Sequence, residues 1–162
     1  MSGRRKVAVI LAVSAGVVLL ALSTWYSLDR SSEGRAATLA DLRAADVLPD
    51  LVKGLPAGAR DIAYYCHFHS GSGEAWFAID AAEFLAWAES RGCQAERVSA
   101  EHPRWIGSTS VVLDRLVEDG YFWQREIDTD FYEKGLYDAS SGRAYYICIL
   151  GHYGGPIIKD PR

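Results

Sequence analysis

The strongest constraint on this chain is an uncharged stretch from Val7 to Leu28, preceded directly by Arg4, Arg5 and Lys6. From Val7 to Leu22 it is almost wholly apolar, broken only by Ser14 and Gly16. A helix rises about 1.5 Å per residue, so residues 7–26 would extend roughly 30 Å, the thickness of a bilayer's hydrocarbon core. A helix also satisfies its own backbone in lipid. The run is therefore read as a single-pass transmembrane anchor over residues 7–26. The basic residues within 1–6 set the N-terminus in the cytoplasm and the remainder outside. Trp25 and Tyr26 fall where an interfacial aromatic belt is expected. The alternative is secretion after cleavage of a signal peptide at Ala21-Leu22-Ser23. The length of the run favours an uncleaved signal-anchor.

Charge separates the two parts of the chain. Residues 1–28 carry three cations and no acid, while the whole chain has a net charge of −4. The part after the anchor is therefore acidic. That disfavours nucleic acid as a partner, because a phosphate backbone repels it. The same charge gives no attraction to anionic lipid, so the expected membrane contact is the apolar helix alone. Apolar residues at 49% and charged residues at 23% fit an ordinary globular domain.

Residues 27–37 are polar and small, and read as a linker to a domain over 38–162. Thr38 followed by Asp41 resembles a capping box, and predicts a short helix from Leu39 to Val47 that stops before Pro49. Ile62, Tyr64, Cys66 and Phe68 alternate with Ala63, Tyr65, His67 and His69, which predicts a strand. Ser70 to Gly73 reads as a hairpin loop, and Ala75, Phe77 and Ile79 as the second strand. Asp80 and Glu83 cap a helix from Ala81 to Arg91, stopped by Gly92. Gln94 to Arg104 reads as a loop. Ser110 to Asp119 reads as a second amphipathic helix, closed by Gly120. Tyr121 to Ile127, Phe131 to Tyr137 and Arg143 to Leu150 complete the strands, the last two joined at Asp138-Ala139-Ser140-Ser141-Gly142. Residues 151–162 are expected to lack regular structure. The fold class is thus α+β: an antiparallel sheet of about five strands, covered on one face by helices.

Cys66-His67-Phe68-His69 is the densest group of metal-ligand side chains. On a strand, His67 and His69 share one face and Cys66 takes the other, so the two histidines could hold one ion with a third ligand from His102 or His152. The paired spacings of known zinc motifs are lacking, and no cofactor is expected. Cys66 and Cys148 lie on alternating strands and would form a disulfide if those strands were neighbours in an oxidising compartment. Cys93 with His102 would make a nucleophile pair only if a base lowered the thiol pKa. Gly71-Ser72-Gly73 joins two strands and is not a nucleophile elbow. Asp128-Thr129-Asp130 begins like a calcium loop, but Tyr132 and Glu133 break it.

Paired aromatics such as Tyr64-Tyr65 and Tyr145-Tyr146 send one ring to each face of a sheet. With helices over one face, the other would display Tyr65 and Tyr145 as a binding face for a protein partner. The sequence therefore favours a non-enzymatic binding or structural module. The alternative is a metal- or thiol-dependent envelope enzyme using the Cys66 to His69 segment.

Overall fold

The computed structural model describes residues 13–24, 30–106, 115–128 and 131–150. The chain divides into two compact units, Met1–Arg30 and Ser31–Arg162. In the first, residues 13–24 form helix α1, with Ser23 and Thr24 hydroxyls donating back to the Leu20 carbonyl at 2.9 and 2.7 Å. Its apolar side chains, Val17, Leu19 and Leu20 among them, are exposed. Among the described residues no helix is long and apolar enough to cross a membrane. The expected anchor, its single-pass topology and its membrane contact are overturned on that ground. Residues 7–12, 25 and 26 of the expected span lie outside the described residues.

The second unit is mainly antiparallel sheet. Its elements are β1 (Ser31–Thr38), α2 (Leu39–Ala44), α3 (Pro49–Gly54), β2 (Arg60–His67), β3 (Ser72–Ala78), α4 (Ala81–Ser90), β4 (Glu96–Val98), β5 (Arg104–Ile106), β6 (Arg115–Val117), β7 (Gly120–Asp128), β8 (Phe131–Asp138) and β9 (Arg143–Leu150). Seven strands pair in the order β1-β2-β3-β9-β8-β7-β4, and β5 pairs with β6 in a separate ribbon. The sheet is larger than the five strands expected. The segment read as a linker supplies β1, because strand pairing with β2 gives its small polar residues a backbone partner. The polar stretch read as a loop supplies β4 and β5. Arg115–Val117 is a strand where a helix was expected, and residues 107–114 lie outside the described residues. The segment read as one helix from Leu39 to Val47 is α2 alone. Pro49, read as its stop, opens α3 at a position where its missing N–H costs nothing.

Local chemistry explains the ends of the elements. Asp41 N–H donates to Thr38 Oγ1 at 3.3 Å while Thr38 N–H donates to Asp41 Oδ2 at 3.0 Å, the reciprocal cap of α2. After α4 the chain turns through Gly92 at φ +71°, and Cys93 N–H reaches back to the Ala88 carbonyl at 2.9 Å. Only glycine takes that backbone conformation without cost. Asp138 ties the β8–β9 turn, accepting from Ser140 N–H at 2.9 Å and from the Ser141 hydroxyl at 2.7 Å.

Helices α2, α3 and α4 cover one face of the sheet. There Leu42, Leu51, Phe84 and Trp87 pack on Ile62, Cys66, Phe77, Trp123 and Tyr146. The other face carries a smaller cluster of Phe122, Leu136, Tyr145, Ile147 and Ile149, joined by Val98, Ile106 of β5 and Val117 of β6. The second face is therefore not left open as expected: the β5–β6 ribbon contributes to its core.

On the helical face, one row of cross-strand partners runs Tyr64, Ala75, Tyr146, Gly135, Trp123. Gly135 leaves a gap into which the Trp123 indole leans, and a Cβ there would overlap the ring. Trp87 of α4 sets its ring edge against Trp123 and Tyr146, with centroids 4.9 and 5.4 Å away. Its Nε1 donates to the Gly54 carbonyl at 2.9 Å, which ties α4 to the end of α3. Gly135→Ala should therefore destabilise the fold by about 2 kcal/mol through overpacking, read as a lower urea midpoint. An unchanged midpoint would show that Trp123 does not need the gap.

Candidate functional site

The Cys66 to His69 segment splits as strand geometry requires. Cys66 is buried among the helices, whereas His67 points to the other face and His69 sits exposed in the turn. Ser70 N–H donates to His67 Nδ1 at 3.3 Å, and Ser70 Oγ lies 2.9 Å from the same nitrogen. That nitrogen is thus committed to the turn. The His67 and His69 rings stand edge to face, 6.3 Å apart. His102 forms an isolated bridge with Ser99, and His152 lies outside the described residues. Among the described residues no three ligand-type side chains converge on a metal position.

Cys66 and Cys148 are free thiols. Both pair with Gly73, from opposite sides. Their Cα atoms are therefore two strand spacings apart, about 9.5 Å, beyond the roughly 7 Å that a disulfide tolerates. Burial pushes the Cys66 thiol up and the Cys148 thiol to about 12. Neither is poised as a nucleophile. Cys93 Sγ lies 3.8 Å from the carbonyls of Arg91 and Gln124, and burial also raises its pKa, the reverse of activation. The acidic segment read against a calcium loop includes residues 129 and 130, which lie outside the described residues.

Tyr145 is fully buried, so its expected display on a binding face does not occur. Its hydroxyl donates to Glu74 Oε2 at 2.7 Å. Tyr65, by contrast, is half-buried on that same face. Next to it diagonally is the half-buried Trp76, placed by the pairs Tyr65–Glu74 and Ala63–Trp76. The Arg143 guanidinium lies 5.6 Å over the Trp76 ring and donates to Asp61 Oδ2 at 2.5 Å and to the Asp61 carbonyl at 2.7 Å. Asp61 sits in a β-bulge at φ +48°, and the Arg143 hydrogen bond and charge lower its pKa.

Two buried acids, Glu74 and Glu133, carry no motif that marks them in the sequence. Glu133 is 2% exposed on the helical face. Arg91, at the end of α4, and Arg125 of β7 both donate to it, Arg125 NH2 at 2.7 Å, and the Tyr146 hydroxyl adds a third partner at 2.8 Å. With its oxygens occupied, Glu133 fixes α4 on the sheet and has little capacity left for a substrate. Glu74, also 2% exposed, lies on the other face. Its Oε1 has no hydrogen-bond partner among the described residues. The only sequence signal for either was a single acid inside an alternating apolar strand.

No protein-family model, curated protein or solved structure matches this chain.

Burial raises the Glu74 pKa from 4.5 to about 7, against the lowering effect of the Tyr145 hydroxyl. The folded state therefore holds this proton more tightly than the unfolded chain. The stability it contributes is complete below pH 4.5 and is lost as pH rises through about 7. Between pH 5 and pH 8, Glu74→Gln should abolish a loss on the order of 2 kcal/mol that the wild type shows in urea unfolding. Identical pH dependence in both proteins would contradict this role for Glu74.

Proposed function

We propose that the Ser31–Arg162 unit is a non-enzymatic binding module that takes another polypeptide on the β2–β3 part of its sheet. The carrying observation is the pair of half-buried aromatic residues, Tyr65 and Trp76, diagonal neighbours on one face. Large, rigid aromatic rings give much contact area for little lost entropy, and such rings beside charged groups recur at protein interfaces. Arg143 and Asp61 supply that charged rim. The acids and thiols that could have carried chemistry instead serve packing: Glu133 is saturated by two arginines and a tyrosine, and the Cys66 and Cys148 thiols are buried with raised pKa values.

Selection of a displayed random-peptide library against the full chain tests this reading. Enriched peptides should bind at least about tenfold more weakly to Tyr65→Ala, in line with loss of an aromatic anchor. Trp76→Phe, which keeps most of the packing against the core, should weaken them less. Failure of any peptide to enrich, or affinities indifferent to both substitutions, would overturn it.

A further inference from the structure

We propose that two copies of this chain associate through their β1 strands, edge to edge and antiparallel, about a two-fold axis at Gly34. Among the described residues β1 is an outermost strand of the seven-stranded sheet, and it is eight residues long, whereas the opposite outer strand, β4, has three. An outer strand offers a row of backbone donors and acceptors to any strand that fits it. Its sequence, Ser-Ser-Glu-Gly-Arg-Ala-Ala-Thr, contains none of the lysine or proline that commonly blocks such an edge, and its register with β2 shows no bulge. Apart from Glu33 and Arg35, every side chain is small, so a second backbone can approach on both faces.

The charges select the partner and the register. Glu33 and Arg35 are exposed and, two residues apart, share one face. Centring the two-fold axis on Gly34 puts Glu33 opposite the partner's Arg35 and Arg35 opposite the partner's Glu33. Ser32 then meets the partner's Ala36, and Ser31 meets the partner's Ala37. Moving the axis to residue 33 or 35 would set like charges directly opposite each other, which is unfavourable. The strand is thus self-complementary in one register only. The backbone contact uses the strand edge, while Glu33 lies opposite Tyr65 on the peptide-binding face; the charge reversals here and the Tyr65 substitution there are read separately, so either reading can fail while the other stands.

Sedimentation velocity on the full chain, over a range of concentrations, tests the proposal. The wild type should dimerise. Glu33→Arg alone and Arg35→Glu alone should each weaken the dimer at least about tenfold, since both cross-strand pairs become repulsive. Both positions are exposed, so far-UV circular dichroism should be unchanged. Mixing the two variants should restore association, because an all-arginine edge then meets an all-glutamate edge. A wild type that stays monomeric, a dimer indifferent to either reversal, or variants that do not recover on mixing would each overturn it.

Discussion

The contact on which this domain most depends is Trp87 packed edge-on against Tyr146 and against Trp123, the ring that leans into the gap at Gly135. One indole touches Phe77, Phe84, Trp123 and Tyr146, and its N–H holds the carbonyl of Gly54. It therefore joins α4, the end of α3 and the centre of the sheet in a single packed group. Aromatic pairs in edge-to-face contact add to the stabilisation that area burial alone supplies. The gap exists only because Gly135 lacks a side chain between Trp123 and Tyr146. Glu133, two residues earlier on β8, then fastens the C-terminal end of α4, one turn beyond Trp87, through Arg91. Packing and charge thus fix the same helix at two points.

The two buried acids show how differently a carboxyl can be accommodated. On the helical face Glu133 is met by two guanidinium groups and a phenol, the geometry in which a buried charge is tolerated. On the other face Glu74 has one phenol and an oxygen without a partner among the described residues, so burial favours its neutral form. The first is a structural clamp between α4 and the sheet. The second makes the domain's stability sensitive to pH near neutrality.

Much of the sheet was legible in the sequence wherever alternation was strong. The hairpins β2–β3 and β8–β9 and helix α4 follow from period-two patterns, Gly71 and Gly142 at their turns, and the Asp80-to-Glu83 start signal. What could not be read was pairing by short or polar strands. Ser31–Thr38 looks like a linker because nothing in it alternates between apolar and polar. Its place at the edge of the sheet is fixed by a partner thirty residues away. The β5–β6 ribbon is three residues a side, too short for periodicity to register. The uncharged N-terminal run suggested a spanning helix, but among the described residues no helix is long and apolar enough to cross a membrane. For the candidate site, alternation correctly separated Cys66 from His67. It could not reveal that Tyr145 would be covered while Tyr65 stayed half-open, since that depends on which part of the face the ribbon overlies.

The proposed peptide face and the proposed β1 contact use two kinds of surface, one of side chains and one of backbone. Both rely on a sheet held rigid from behind by α4. Native-state hydrogen exchange measures that dependence directly. If Trp87 and Glu133 lock α4 to the sheet, the amides of Leu85 to Ala88 will exchange only through the same opening as those of Tyr145 to Cys148, with matching free energies. Exchange in α4 by a separate, much easier opening, while β9 stays protected, would contradict the account.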